Sequence, residues 1–214
     1  MSTVIMNNVA SVDGFIADAK DQVGPLFDWY VNGDVEIIDG GQLKVSQASA
    51  GYVKTMWAGI GSMVIGRHLF DITNGWEGVP PAGDHVVVVS HRPKPDDWRP
   101  KGLHPVHPRE GQASYYFIGD VAQAIAKAKE LAGERTVAVA AGDVGGQAFA
   151  LGLVDEVAMD VVPVVFGSGK RYFGSVDAQH LLEDPHTVIQ GNRVLHLRYR
   201  VRVLERRGLR TTGP

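Results

Sequence analysis

The sequence predicts an α/β fold: a mixed, mainly parallel central sheet with an antiparallel C-terminal edge and helices on both faces. Two observations carry this. Through the middle of the chain, short apolar runs such as HVVVV and TVAVA alternate with helical patterns, as in strand–helix–strand crossovers. From DEVAMDVVPVVFG onward the pattern changes, and HTVIQGN and RVLHLRYRVRVLE follow as further strands with no helical period between them. Consecutive strands of that kind pair antiparallel. The 214 residues suit one well-buried domain, placed at 1–204, with a polar tail at 205–214.

The elements follow in order. TVIMNNVASVDGFIA gives a first strand from Val4 to Val9 and a turn at Asp13-Gly14. DQVGPLFDWYVNGDVEIIDGGQ is loop-rich and holds Phe27, Trp29 and Tyr30. Ser46 to Gly59 reads as a helix with Ser at its start, Gly at its end, and Tyr52, Val53, Met56 and Trp57 on one face. SMVIGRHLFD is a short strand ending at Gly66, and ITNGWEGVPPAGD a loop. The consecutive valines of HVVVVSHRP predict a strand buried on both faces. RPKPDDWRPKGLHPVHPREG is an irregular surface connection. DVAQAIAKAKELAG is a helix whose stripe is Val121, Ala124, Ile125, Ala128 and Leu131, with Asp120 as N-cap and Gly133 beyond its end. RTVAVA is a buried strand, and Asp143 to Leu151 a helix.

Composition narrows the function. A 44% hydrophobic and 21% charged chain is an ordinary soluble globular one, and a net charge of −3 argues against a general phosphate-backbone binder. With no cysteine, disulfides, thiolate nucleophiles and Cys-based zinc sites are excluded, and a cytoplasmic location is expected. No apolar run reaches membrane-spanning length, and MSTVIMNNVASVDG lacks the pattern of a signal peptide.

In open α/β sheets ligands bind beyond the C-terminal ends of parallel strands. There the sequence places Gly66, Arg67 and His68 after one strand, and Ser90, His91 and Arg92 after another. Ala141, Gly142 and a helix beginning near Asp143 follow a third. The spacing G-x-G-x-x-G is missing from AAGDVGGQ, so this is no ordinary dinucleotide fingerprint. The chemistry still suits a phosphorylated dinucleotide. A helix N-terminus offers backbone donors to a pyrophosphate, and Arg67 and Arg92 offer forked donors to a terminal phosphate such as the 2′-phosphate of NADP. Ser90 adds a hydroxyl, and Asp143 reads as the helix N-cap.

SVDGFIA, VIGRHLFD, VVVSHRP and GLVDEVAMDVVPVVFGSGKRYF together resemble the dihydrofolate reductase-like family, which includes the reductase domain of bifunctional riboflavin-biosynthesis deaminase–reductases. The resemblance runs from roughly Thr3 to Arg202, and TNGWEGVPP further resembles a branch of small stand-alone bacterial reductases. It implies a dihydrofolate reductase-like fold and NADPH as cofactor. Gly66, Arg67 and His68 match the turn holding the adenosine side, and Ser90, His91 and Arg92 the strand end flanking the 2′-phosphate and adenine. The stretch Ala140 to Gln147, with Ala141, Gly142, Asp143, Val144, Gly145 and Gln147, matches the glycine-rich phosphate turn. Val9, Ala10 and Ile16 match positions near the nicotinamide, and Gly167 and Gly169 a glycine loop by the active site. Ala140 and Ala141 depart from the family, which usually has two glycines there.

Dihydrofolate reductases proper use a carboxylate on the helix after the first loop, and SQASAGYVKTMWAG has none. Asp13, Asp28 and Tyr30 are the remaining candidates for proton donation. Asp13 also suits a turn beside Gly14. Trp29 and Tyr30 either stack on a flat substrate or pack their own loop, and Trp76 either closes the pocket or anchors its loop. No metal is expected: His104 and His107 lie in a proline-broken segment without a convergent third ligand. GSGKRYF fails as a phosphate loop at Val164 and Arg171, and no G-x-S-x-G occurs. The expected function is an NADPH-dependent reductase passing hydride to a small conjugated substrate related to a pterin, pyrimidine or flavin. The alternative is a catalytically silent dinucleotide- or flavin-binding protein of the same fold. A homodimer fits the long apolar C-terminal strand region; neither nucleic acid nor membrane is an expected partner.

Overall fold

The computed structural model describes residues 2–101 and 112–202. The expected polar tail, His104 and His107 lie outside the described residues.

The chain begins with β1 (Val4–Ser11) and β2 (Phe15–Asp18), then a 3₁₀ stretch at Gly24–Val31 and the short pair β3 (Val35–Glu36) and β4 (Lys44–Val45). Helix α1 (Gln47–Gly59) leads to β5 (Ile60–Gly66), α2 (Arg67–Thr73) and β6 (His85–Val89). There follow β7 (Ser114–Ile118), α3 (Val121–Ala132), β8 (Thr136–Ala140), α4 (Asp143–Ala150) and β9 (Glu156–Val162). Last come β10 (Gly169–Arg171), β11 (Thr187–Gly191) and β12 (Val194–Arg200).

Eight strands form one sheet in the order β11-β12-β9-β1-β8-β5-β6-β7. From β9 to β7 the pairing is parallel, while β12 joins β9 antiparallel and β11 joins β12 antiparallel. The expected parallel centre and antiparallel C-terminal edge are both present. β2 and β10 form a separate antiparallel pair beside the sheet.

The caps explain where the helices start. Ser46 Oγ accepts the Ser49 N–H at 3.3 Å, and Asp120 Oδ1 accepts that of Gln123 at 2.8 Å. One face of the sheet packs Val4, Met6, Val64, Val87, Val137 and Val139 against α3 and α4. On the other face Val9, Val162 and Val194 meet Val53 of α1 together with Leu26 and Trp29. The valines of β6 divide between the two faces, Val87 toward α3 and Val86 and Val88 toward Phe70 of α2. Each such side chain contributes about 1.5–3 kcal/mol on burial.

The elements differ from expectation in several places. β1 continues past Val9 to Ser11. α2 occupies RHLFDIT, a stretch of about two turns that is too short to show a helical period. β7, SYYFI, is an edge strand following the irregular connection, and its aromatics are only partly buried.

Candidate functional site

A cleft of about 1470 Å³ runs along the C-terminal ends of β1, β5, β6 and β8. Ligand pockets for one small molecule usually measure about 300–1,000 Å³, so this one is large enough for two bound groups.

At one end, Arg67 opens α2 with its side chain only 16% exposed. Its Nε donates to Asp71 Oδ1 at 2.7 Å and its Nη1 to the Pro93 carbonyl at 3.0 Å, and the guanidinium lies 5.8 Å from the Phe70 ring centroid. Ser90 Oγ donates to the Arg92 carbonyl at 2.7 Å and accepts the Arg92 N–H at 3.0 Å, closing the turn after β6. Arg92 reaches the other oxygen of Asp71 at 3.1 Å but is 68% exposed and does not line the cleft. The two guanidiniums, Arg67 foremost, hold the Asp71 carboxyl below the usual carboxylate range. Gly66, Arg67, His68, Ser90 and His91 all line the cleft.

The turn after β8 presents the start of α4. Ala141, Gly142, Asp143, Val144 and Gln147 line the cleft there. Gly142, not Asp143, is the N-cap, and no side chain caps this helix. Asp143 is the first helical residue, where its charge still suits the dipole. Gly142 has φ 95° and ψ −149°, a conformation open essentially to glycine alone, and a Cβ there would stand 3.0 Å from Ile16 Cδ1. Gly145 points elsewhere: a Cβ on it would meet Met6 Sδ and the Ala140 carbonyl at 2.7 Å, so it packs α4 on β1 and does not line the cleft.

The aromatic trio divides. Phe27 and Tyr30 line the cleft with Trp57 of α1, whereas Trp29 is 2% exposed and stacks beneath Tyr30 at 3.9 Å between centroids. Burial pushes the Tyr30 phenol well above its usual range, so it stays neutral. Asp28 is exposed and does not line the cleft. Opposite, Trp76 lines the cleft from a left-handed turn in which Asn74, Gly75, Trp76 and Glu77 have φ of 49°, 56°, 48° and 53°. Trp98 Nε1 donates to the Asn74 carbonyl at 3.1 Å and Tyr115 Oη to the Gly75 carbonyl at 2.6 Å, holding it in place.

Val9, Ile16 and Gly169 line the cleft, but Ala10, Asp13 and Gly167 do not. Ala10 is fully buried. Asp13 is committed to the turn: it accepts the Ser11 hydroxyl at 2.6 Å and the Phe166 and Gly167 N–H groups at 3.2 and 2.7 Å.

Two cleft groups escaped the sequence. Asp21 pairs with His68 and with Lys170 at 2.6 Å, which joins the loop after β2 to β10 and to α2; Lys170, then His68, keeps its carboxyl below the usual range. Asp160 of β9 lines the cleft although it is almost wholly buried. Its signal was a single carboxylate inside the apolar run VAMDVV. Among the described residues no group of three His, Asp or Glu could hold a metal ion, and no helix is long and apolar enough to cross a membrane.

The model of the RibD C-terminal domain matches residues 2–196. The chain belongs to the RibD C-terminal domain family. This is a family of reductase-like domains, and solved structures repeat its fold. A candidate riboflavin biosynthesis protein from Shewanella sp. PV-4 superposes with a TM-score of 0.63 at 17% identity, over 95% of this chain and 100% of that one. A pyrimidine reductase-like protein from Corynebacterium diphtheriae gives 0.59 at 15%, over 94% and 92%. The Thermotoga maritima diaminohydroxyphosphoribosylaminopyrimidine deaminase/5-amino-6-(5-phosphoribosylamino)uracil reductase gives 0.53 at 11%, over 94% of this chain and 57% of that one. At these identities the likeness is one of fold. No curated protein matches the chain.

Proposed function

We propose that this member of the RibD C-terminal domain family is an NADPH-dependent reductase of a small, flat, nitrogen-containing ring of the pyrimidine class. One observation carries the reading: a single cleft holds an uncapped helix start, a half-sheltered arginine and an aromatic wall. The first two suit phosphates, the third a flat ring.

The chain's residues fit the cofactor. The first turn of α4 offers unpaired N–H donors to a pyrophosphate, and Gly142 lets the backbone approach it without a Cβ. Arg67, with Ser90 beside it at 3.5 Å, offers the forked donors a 2′-phosphate needs. Val9 and Ile16 supply an apolar seat for a ring, and Tyr30 and Trp57 a stacking surface. When bound, NADPH supplies a hydride. The protein's part is to orient the two rings and keep water out, with Trp76 and the Asp21–Lys170 pair standing on the cleft's walls.

The test is a titration of tryptophan fluorescence with NADPH and with NADH, the chain having four tryptophans as donors. NADPH consumption is then followed with 5-amino-6-(5-phosphoribosylamino)uracil and other heterocycles. Selective NADPH binding followed by turnover supports the reading; no binding of either nucleotide refutes it. Binding without turnover of any substrate favours the silent dinucleotide-binding protein, to which Ala140 and Ala141 also point.

A further inference from the structure

We propose that Asp160 is the acid that protonates the substrate, and that His196, Ser49 and Ser46 form the relay that reloads it from solvent. This rests on the reductase reading above.

The register of the sheet makes the arrangement. Asp160 on β9 lies beside Val9 of β1 and opposite His196 of β12, and paired residues of neighbouring strands point to the same face, here toward α1. Asp160 and His196 are 2% and 0% exposed. His196 Nδ1 stands 2.6 Å from Asp160 Oδ1, and His196 Nε2 stands 2.9 Å from Ser49 Oγ in the first turn of α1. Ser46 Oγ, at the half-buried cap of that helix, donates to Ser49 Oγ at 3.1 Å. Asp160 lines the cleft, whereas the other three do not.

The four groups therefore form a continuous hydrogen-bonded chain from the start of α1 to the cleft. With Nδ1 carrying the imidazole proton and Nε2 accepting from Ser49, every donor stands on the solvent side of its acceptor. The chain is made room for. A Cβ on Gly191 would fall 2.0 Å from Ser49 Oγ, so glycine alone leaves the hydroxyl where it is. A buried Asp–His pair would satisfy the desolvation of the carboxylate by itself. Continuing it through two serines to a helix end, with its other end at a residue that lines the cleft, is what a relay requires.

The position also answers the empty helix. α1 carries no carboxylate, and β9 supplies one on the sheet face that α1 covers. Three phenols stand within reach of the Asp160 charge: Tyr30 from the 3₁₀ stretch, Tyr52 from α1 and Tyr172 after β10. Burial keeps all three protonated. Arg198 and Glu156, further along the same strands, pair with each other.

The chemistry balances as one two-electron reduction. The hydride adds to the carbon of the C=N bond in the substrate's ring-opened imine form, and the Asp160 proton goes to its nitrogen. The resulting carboxylate takes a proton from His196 Nδ1, while His196 Nε2 takes that of Ser49, Ser49 that of Ser46, and Ser46 one from solvent. Tautomer exchange of the imidazole restores the starting order.

Asp160→Asn, His196→Gln and Ser49→Ala of the full chain test this with NADPH and 5-amino-6-(5-phosphoribosylamino)uracil. Asp160→Asn should bind NADPH within about threefold of wild type yet lose at least about 100-fold in kcat, the scale of general acid catalysis. Ser49→Ala should leave the first, pre-loaded turnover intact, slow steady-state turnover and move the alkaline limb of its pH profile. An Asp160→Asn enzyme with wild-type kcat and pH profile overturns the proposal while leaving the reductase reading standing. A wild-type protein that binds no NADPH overturns both. Independently of activity and of any variant's folding, nitrogen NMR of His196 in the ligand-free protein above neutral pH reads the tautomer. Protonation at Nδ1 is expected, and protonation at Nε2 overturns the relay.

Discussion

The Asp13 carboxylate accepts the backbone N–H of Gly167 at 2.7 Å, across 154 positions of sequence. Its other oxygen takes the Ser11 hydroxyl and the Phe166 N–H. The turn between β1 and β2 is thereby fastened to the loop before β10, and Ile16 and Gly169 on either side are both walls of the cleft. Ser11 first, and the two loop amides after it, hold the Asp13 carboxyl below the usual range. A depressed folded-state value stabilises the fold above the ordinary carboxylate pKa, and that stability is lost as pH falls through the folded value. Asp13→Ala should therefore melt below wild type from pH 6 to 8, and the gap should close below about pH 4. Thermal melts across that range check it; a gap that widens in acid would contradict the assignment.

Arg67 and Arg92 share Asp71 but not the cleft. Arg67 is sheltered over Phe70, while Arg92 is a solvated residue on the far side of the carboxylate. Arg67→Ala should weaken NADPH about 10- to 100-fold, the worth of a charge-assisted pair, with little change for NADH. Arg92→Ala should cost less than about fivefold. The two titrations are compared at one ionic strength.

The glycines of DVGGQ answer to packing. A Cβ on Gly146 would stand 2.2 Å from the Phe173 carbonyl oxygen, a backbone atom that cannot swing aside. Gly146→Ala should destabilise by about 2–3 kcal/mol. That is about 5–10 °C in Tm for a chain of this size. Gly51→Ala, on the exposed face of α1 with open space around it, should instead stabilise by about 0.5–1 kcal/mol.

Tyr115 props the left-handed turn that carries Trp76. Backbone of that hand costs about 1–2 kcal/mol per non-glycine residue, so its anchors matter. Tyr115→Phe should lower stability by about 1 kcal/mol. It should raise the KM of a ring substrate more than the Kd of NADPH, because Trp76 and not the phosphate end loses its support. Paired substrate kinetics and nucleotide titrations separate the two effects.

Much of the frame was legible because it is local or strongly periodic. α3 shows its stripe, its Asp120 cap and its closing Gly133, and the structure places the cap and Gly133 as read and the stripe with Leu131 half-buried and Ala132 buried at its end. The strand ends were legible too, since Gly66, Ser90 and Ala141 fall where apolar runs stop. What was hidden depends on contacts between distant residues. Trp29 and Tyr30 are neighbours, yet one is core and the other cleft wall, because their rings stack with Trp29 on the core side and Tyr30 covering it on the cleft side. Asp13 and Asp28 both stood among the candidate acids, and the turn beside Gly14 already offered Asp13 another role; it is spent on that turn and its loop, while Asp28 faces solvent. Asp160 became meaningful only when the register set it against His196.

The sheet order has a consequence for how the chain comes to be folded. β1 precedes the other strands of its sheet and sits between β8 and β9, whose residues follow it by more than a hundred positions. During synthesis both edges of β1 stay bare until β8 and β9 have emerged. The cleft needs that strand, the start of α4 and β9 together, so it is among the last features to assemble. Such long-range pairing makes for slow folding, and the interval before β8 and β9 arrive is when the nascent chain is most open to misassociation.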